Sequence, residues 1–120
     1  RERYARWEQL PDVQVLLAAD VAGAGWSWHV GLVTELVDQI DLDVRTARVM
    51  VCGPEPMMKA VAEICAEVGV PCWLSLETPM ACGIGLCYSC VAKIRQADGG
   101  WDYQRTCIHG PVFDASKILW

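Results

Sequence analysis

Residues 48–76 read RVMVCGPEPMMKAVAEICAEVGVPCWLSL, and this stretch decides the fold. Its two ends, Arg48–Cys52 and Cys72–Leu76, are short apolar runs that predict buried strands. Between them, Glu55 suits the first turn of a helix and Gly69 suits its end. One face of that helix carries five apolar residues, which are Met57, Val61, Ile64, Cys65 and Val68. Strand, helix and strand in this order predict a βαβ unit with parallel strands.

The chain before this unit shows the same order of elements. Val13–Ala18 is an apolar run after a Pro-Asp break, and it predicts a further buried strand. Gly31–Ile40 has the apolar spacing of an amphipathic helix, and Arg1–Leu10 indicates the end of a surface helix or a linker. The sequence therefore predicts the α/β class, with three strands of a partial doubly wound parallel sheet covered by helices.

The phosphate-binding turn of a dinucleotide fold does not occur in this sequence. Neither a G-x-G-x-x-G motif nor a Walker loop is present among the 120 residues. Because a complete dinucleotide fold places that turn after its first strand, we expect the first strands to belong to a preceding part. We therefore expect this chain to bind a dinucleotide only weakly when it is alone.

The composition limits the classes of function. At 120 residues the chain fits one domain with a small additional lobe. A formal charge of −5 without a basic cluster argues against nucleic acid binding. No apolar run reaches the roughly 18 residues of a membrane span, and no signal peptide is visible. Seven cysteines, four of them at metal-binding spacing, predict a reducing compartment and a cytoplasmic location.

The segment Ala81–Cys90, ACGIGLCYSC, contains the densest group of cysteines. Their C-x4-C-x2-C spacing, with a distant fourth cysteine, is the plant-type [2Fe–2S] ligand pattern. Two glycines in the loop can take positive φ and bring backbone N–H groups close to bridging sulfides. A structural zinc site that staples the C-terminal lobe to a partner is the alternative, although zinc more often uses two C-x2-4-C pairs. The expected ligands are Cys82, Cys87, Cys90 and Cys107.

Local geometry places the fourth cysteine near the third. Asp98-Gly99, between two strand-like segments, is the signal of a two-residue hairpin turn. In that register Cys90 lies opposite Cys107, with Cβ atoms about 4.5–5.5 Å apart. We therefore expect these two cysteines to hold one iron and the other two to hold the second. A three-residue loop over Asp98–Gly100 is the alternative.

The predicted topology also places polar residues near the cysteine loop. Ligands of open α/β sheets bind beyond the carboxyl ends of the strands. Asp20, Cys52 and Glu77 all lie at or just past predicted strand ends. Cys82 follows Glu77 by five residues, so we expect the metal-binding loop at the same edge of the sheet.

Three segments resemble those of known families. Cys52–Met57, CGPEPM, is similar to the C-G-P-x-x-M motif of ferredoxin reductase-like flavoproteins. Ser75–Glu77 with the MACGIG that begins at Met80, and Cys107–Ala115 with the sequence CIHGPVFDA, resemble the electron-transfer subunit of dihydroorotate dehydrogenase B. The similarity covers nearly the whole chain. Full-length members of that family place an FAD-binding barrel and earlier NAD-domain strands before the matching part.

The resemblance implies a division of the chain and a function. Residues 1–76 would be the C-terminal half of a ferredoxin reductase-like NAD-binding domain, and residues 77–120 a small irregular β-hairpin lobe that holds a [2Fe–2S] cluster. A partner subunit with FMN would oxidise dihydroorotate, and electrons would reach FAD and NAD through the cluster, in pyrimidine biosynthesis. FAD and NAD would be bound mostly by N-terminal parts, so this chain alone would not be a complete oxidoreductase.

The same resemblance assigns roles to individual residues. It carries over the four cysteines named above as cluster ligands, and it assigns no catalytic residue. The expected contacts to the flavin and nicotinamide are Cys52, Gly53 and Pro54.

The sequence departs from this family at two places. His109 stands where members often have an acidic residue, and we expect it in an exposed turn. The loop Gly25–Gly31 looks more like the gamma (diaphorase) subunits of NAD-linked hydrogenases and sulfhydrogenases, which are the alternative assignment. Three cations flank the cysteines and would raise the potential of an anionic cluster, and they are Lys93, Arg95 and Arg105.

Overall fold

A computed structural model of the chain describes residues 2–41 and 43–120. Its helices are α1 (Glu2–Trp7), α2 (Glu55–Val68) and α3 (Thr106–His109). Its strands are β1 (Ala18–Ala19), β2 (His29–Val30), β3 (Val49–Cys52), β4 (Cys72–Ser75), β5 (Val91–Arg95), β6 (Trp101–Arg105) and β7 (Val112–Asp114). Short 3₁₀ helices span Val33–Gln39 and Ala115–Lys117. The elements form two units, Arg1–Asp41 and Leu42–Trp120. Of the predicted N-terminal segment, residue 1 lies outside the described residues.

The first unit contains less strand than the sequence predicts. β1 and β2 form a two-residue parallel ladder in which Ala18 pairs with His29. The predicted strand Val13–Ala18 is therefore wrong in extent, because only its last residue joins β1. Its partner β2 ends after two residues, where Gly31 takes a φ of 142°. Within the described residues of this unit, the ladder between β1 and β2 is therefore limited to two residue pairs.

The helix predicted over Gly31–Ile40 forms as the 3₁₀ helix Val33–Gln39. Leu36 is its buried residue, at 5% exposure, while Val33 and Ile40 remain exposed. No side chain caps the start of this helix, which follows Leu32. Frequent β-branched residues lower the α-helical propensity of the segment, which is consistent with the tighter, shorter helix.

The βαβ unit of the second part is confirmed. β3 and β4 are parallel, and their register runs from Val49 with Cys72 to Cys52 with Ser75. α2 ends at Gly69, whose φ of 75° is the left-handed conformation expected at a helix C-terminus. The helix buries Met58, Val61 and Cys65, so Met58 replaces Met57 as its central core residue. The buried core of the unit consists of Met58, Val61, Cys65, Cys72, Leu74, Ile94, Phe113 and Ile118.

The sheet around β4 is mixed rather than parallel throughout. β7 pairs antiparallel with β4, and Phe113 lies opposite Leu74. The resulting strand order is β3-β4-β7. β3 is buried on one face only, because Val49 and Val51 pack inward while Met50 is 81% exposed. The structure is therefore a mixed α/β fold with small sheets.

The hairpin β5–β6 has a register one residue away from the predicted one. Arg95 pairs with Trp101, and Val91 pairs with Arg105. The Gln96 N–H donates to the Gly100 carbonyl at 2.9 Å, so the loop has three residues and lies one position earlier than the three-residue alternative. Gly99, with a φ of 86°, takes the left-handed position that ends such a loop. The residue opposite Cys90 is thus Thr106, and the predicted Cys90–Cys107 opposition is wrong.

The C-terminal residues of the second unit contact β5 on the side that faces away from β6. Ile118 bridges to Ile94 in β5, and the Leu119 N–H donates to the Lys93 carbonyl at 3.0 Å. β5 is therefore held between β6 and the C-terminal residues. None of the helices in residues 2–41 and 43–120 has the length and apolarity that a membrane-spanning helix requires.

Candidate metal centre

The first pair of thiols lies within the loop that follows β4. Cys82 Sγ and Cys87 Sγ are 3.3 Å apart, and the Cys87 backbone N–H donates to Cys82 Sγ at 3.4 Å. Gly83 and Gly85 allow this bend, because both take left-handed φ values of 68° and 80°. Gly85 is also buried against Ile108, whose side chain would have to move to admit a Cβ. The glycines predicted to shape the loop are therefore the residues that do so.

The second pair joins the loop to the far end of the hairpin. The Thr106 N–H donates to the Cys90 carbonyl at 2.8 Å, which closes the β5–β6 ladder. α3 begins at Thr106 and turns Cys107 back toward Cys90. Hydrogen bonds from the Cys107 backbone and thiol lower the pKa of Cys90. A helical turn after the strand, rather than cross-strand opposition, therefore brings the fourth cysteine to the third.

The two pairs share one electrostatic environment. The pKa of Cys107 is raised by its hydrogen bond to Cys90, by burial, and by the charge of Cys90, with a smaller contribution from the charge of Cys82. The Gly85 backbone N–H acts in the opposite direction on the same thiol. The structure thus brings together all four cysteines that the sequence singled out.

The donor set fits a two-iron cluster better than a single ion. In the described parts of the chain, no three thiol, imidazole or carboxylate groups converge on one ion position. Tetrahedral zinc needs four donors around one point, whereas the four thiolates of a [2Fe–2S] cluster are divided between two irons. The pairs Cys82–Cys87 and Cys90–Cys107 match that division. Soft thiolates are also the ligands that iron–sulfur clusters prefer.

Backbone N–H groups of the loop stabilise a thiolate at Cys82. The N–H groups of Cys87 and Ile84, with the Cys87 thiol, lower the pKa of Cys82 to about 6. By contrast, burial and the neighbouring Cys65 raise the pKa of Cys72 to about 12. In cluster-free protein we therefore expect iodoacetamide to modify Cys82 at pH 7 and to leave Cys72 unmodified. Peptide mass spectrometry after timed alkylation measures both sites.

The pH dependence of that reaction follows from the sign of the shift. Because the folded-state pKa of Cys82 lies below the usual thiol value of about 8.5, the thiolate fraction falls as the pH drops through about 6. The alkylation rate of Cys82 should fall over the same range. Equal rates at Cys82 and Cys72 at pH 7 would contradict the expectation.

Arg105 connects the hairpin to the cysteine loop. Its Nη1 donates a hydrogen bond to the Gly85 carbonyl, and its guanidinium lies 5.0 Å from the centre of the Tyr88 ring. Lys93 instead lies over Trp101, with Nζ 5.3 Å from the ring centre. Neither Arg105 nor Lys93 forms an ion pair within residues 2–41 and 43–120. Arg105 is therefore the cation that contacts the metal-binding loop directly.

The residues expected near flavin and nicotinamide occupy the end of β3. Cys52 is exposed at the last position of the strand, and Pro54 precedes the first residue of α2. Gly53 lines a cavity of about 400 Å³ that also includes Glu77 and Thr78. Cys52 and Pro54 are not among the residues that line this cavity. A role of these three residues in cofactor binding stays a prediction.

The remaining sequence candidates fall in different places. Asp20 follows β1 in the first unit, whereas Cys52 and Glu77 belong to the second. His109 is exposed at the end of α3, as expected. The sequence analysis missed Thr78 and Thr106, whose hydroxyl oxygens lie 2.6 Å apart. No motif marks these threonines, because their contact joins positions 28 residues apart.

Comparisons with known proteins define the class of this chain. A solved NADH-dependent reduced ferredoxin–NADP oxidoreductase, studied for flavin-based electron bifurcation, is similar at a TM-score of 0.60 and 28% identity. The match covers 88% of this chain and 35% of that one. Together with the four gathered thiols, it places the chain among iron–sulfur proteins with a ferredoxin reductase-like fold.

A family model identifies the cysteine-bearing part. Residues 77–119 match the iron–sulfur cluster binding domain of dihydroorotate dehydrogenase B. The electron-transfer subunit of dihydroorotate dehydrogenase B (NAD(+)) from Caldanaerobacter subterraneus subsp. tengcongensis is 46% identical over 97 residues. That from Desulforamulus reducens is 39% identical over 110 residues. The resemblance inferred from the motifs is thereby confirmed, and residues 77–119 form an iron–sulfur cluster binding domain of this kind.

The chain matches only part of these relatives. The two matches cover 79% and 91% of this chain, but 37% and 40% of the relatives' own length. The activity of the complete relatives therefore bears on this chain only as a proposal.

Proposed function

We propose that this chain is the cluster-bearing part of an electron-transfer subunit, with Cys82, Cys87, Cys90 and Cys107 as the ligands of a [2Fe–2S] cluster. The observation that carries the proposal is the pairing of four thiols within a segment that matches an iron–sulfur cluster binding domain. When bound, such a cluster accepts and releases single electrons. The loop N–H groups at Cys82 and the guanidinium of Arg105 favour the negative charge that the site holds.

The names of the relatives support a specific reaction for the complete complex. A partner subunit with FMN oxidises dihydroorotate to orotate, which releases two electrons and two protons. The complete electron-transfer subunit would pass the electrons to NAD+, so that dihydroorotate and NAD+ give orotate, NADH and one proton overall. The proposal therefore includes a hetero-oligomer with a catalytic dihydroorotate dehydrogenase subunit, in pyrimidine biosynthesis. The relatives are electron-transfer subunits of dihydroorotate dehydrogenase B (NAD(+)), which supports this assignment.

Within the chain, we assign residues 1–76 to the C-terminal half of an NAD-binding domain and residues 77–120 to the cluster lobe. The start of the matching family model at residue 77 supports this boundary. The compact units divide elsewhere, after Asp41, because β7 pairs with β4 across the assigned boundary. The parallel pair β3–β4 with α2 supports a partial doubly wound sheet in the complete protein.

Two further parts of the proposal concern the contacts to flavin and nicotinamide and the cellular compartment. Cys52, Gly53 and Pro54 contribute to the nicotinamide and flavin side of the site, which is supported by their position at the carboxyl end of a parallel strand. The complex resides in the cytoplasm, where a reducing environment keeps thiols available to iron. The seven free thiols of the chain support that compartment.

A second candidate function keeps the same cofactors and changes the partner. The similar solved structure is a ferredoxin–NADP oxidoreductase, so the same arrangement serves other redox partners. The chain would then belong to a diaphorase-type subunit of an NAD-linked complex. The loop Gly25–Gly31, whose sequence looks more like that of gamma (diaphorase) subunits, is the feature that favours it.

The test begins with the full-length protein purified without oxygen together with its native partner. The proposal predicts a brown complex with two irons and two acid-labile sulfides per subunit, and an EPR signal that appears on addition of dihydroorotate. A colourless protein with stoichiometric zinc would overturn the cluster assignment. A cluster that dihydroorotate does not reduce, but that a different co-purified enzyme reduces, would transfer the assignment to the second candidate.

A further inference from the structure

Two threonine hydroxyls lie beside the buried ligand Cys90. Thr106 is 2% exposed, and its Oγ1 lies 2.6 Å from Thr78 Oγ1. Thr78 belongs to the segment between β4 and the cysteine loop, whereas Thr106 begins α3. Thr106 is also the residue opposite Cys90, since its N–H donates to the Cys90 carbonyl at 2.8 Å. The hydroxyl pair thus spans two segments that meet at one ligand.

The β5–β6 ladder places Thr106 opposite Cys90, and the Thr106 side chain contributes to lowering the pKa of the Cys90 thiol. Cys90 is 1% exposed, so water has little access to its sulfur. We propose that Thr78 and Thr106 form a two-hydroxyl relay that donates a hydrogen bond to the Cys90 sulfur and raises the reduction potential of the bound cluster. This inference rests on the proposed function.

Ligation would fix the direction of the relay. An iron-bound Cys90 carries no proton, so its sulfur can only accept a hydrogen bond. In the proposed relay, Thr106 donates its single hydroxyl proton to this sulfur, and its oxygen is left to accept. Because the two threonine oxygens are 2.6 Å apart, one proton must lie between them, and it comes from Thr78. Thr106 acts on the ligand directly, and Thr78 is a positioning residue that polarises Thr106.

The sign of the effect follows from charge. Reduction adds one electron to an already anionic cluster, and hydrogen bonds to its sulfurs are among the factors that set its potential. A donated bond is stronger to the more negative sulfur of the reduced state, so it favours reduction. The burial of Thr106 and Cys90 keeps the bond in a low-dielectric environment, where its effect is largest.

The experiment is a redox titration of the cluster by EPR in the full-length, oxygen-protected protein. Thr106→Val removes the hydroxyl at nearly constant volume, and we expect the reduction equilibrium to fall about tenfold, which is 59 mV for one electron. Thr78→Val should shift the potential in the same direction by less. Thr106→Ser keeps the hydroxyl and should restore the wild-type potential. Thr46→Val, an exposed threonine in the same unit, is the matched control and should shift nothing.

Each outcome decides the proposal. Equal potentials in wild type, Thr106→Val and Thr78→Val would overturn it, as would a Thr106→Ser potential that follows the valine variant. If Thr106→Val loses its cluster, the Thr78→Val potential decides, because Thr78 contacts no ligand in the relay. Wild-type protein that binds no iron and sulfide would instead overturn the proposed function, and the relay with it.

Discussion

Replacing Cys107 with serine is expected to abolish stable cluster binding. α3 places this thiol against Cys90, and the pair supplies both protein ligands of one iron in the proposed centre. A neutral hydroxyl is a poor substitute for a soft thiolate toward iron–sulfur clusters. Because changes at groups that merely support ligands lower metal affinity about 10–100-fold, loss of a ligand should lower cluster content at least as much. Iron and acid-labile sulfide per protein, with visible absorption, measure the effect.

Cys52→Ser provides the matched control for that variant. Cys52 is a free, exposed thiol at the end of β3, outside the two thiol pairs. We expect this variant to keep its full complement of iron and sulfide. Full cluster content in Cys107→Ser would refute Cys107 as a ligand, and loss of the cluster in both variants would point to general thiol damage.

Gly110→Ala is expected to destabilise the second unit, because a Cβ at this position would collide with a core side chain. A Cβ at this position would lie 2.4 Å from Phe113 Cε2 and 3.1 Å from the Thr106 carbonyl oxygen. Phe113 is 8% exposed and packs in the core opposite Leu74, so its ring cannot move away freely. Overpacking of this kind costs about 1–3 kcal/mol in the free energy of unfolding. Denaturant or thermal unfolding of the full-length protein measures it.

Two variants separate the collision from other effects of the substitution. Gly23→Ala adds the same methyl group where nothing lies within 4 Å, and it should change stability little. Phe113→Leu removes the ring edge, so the double variant Gly110→Ala/Phe113→Leu should be more stable than the sum of the two single changes predicts. Strict additivity would show that the ring is not the obstacle. Because Gly110 follows α3, reduced cluster content should accompany the loss of stability.

The sequence predicted those parts of the fold whose signals are local. The βαβ unit depends on apolar runs and on a glycine at the end of α2, and each appears where its pattern placed it. β7 could not be predicted in the same way, because three residues carry no periodicity and their partner lies about forty positions away. The predicted hairpin register was wrong because the consecutive glycines Gly99 and Gly100 allow several loop types. The loop that forms is the one in which Gly99 takes the left-handed conformation.

In the candidate site too, the features with local sequence signals were predicted and those that depend on tertiary packing were not. The four cysteines have the spacing of [2Fe–2S] ligands, so the sequence predicted that they lie close together. Their mutual arrangement depended on the hairpin register and on α3, which a four-residue helix signals too weakly to predict. The Arg105 contact to Gly85 and the Thr78–Thr106 contact depend on tertiary packing between distant segments. Residue types alone do not encode such contacts.

The antiparallel addition of β7 to β4 has a consequence for how this architecture can be reused. Phe113 and Ile118 come after the last cysteine, yet they pack with Met58 and Leu74 from the βαβ unit. A graft that moved only residues 77–120 onto another scaffold would remove Met58 and Leu74 from the packing of these two large apolar side chains. Residues 77–120 therefore do not form an independent folding unit. A transferred segment would have to include the strands and helix from Val49 onward.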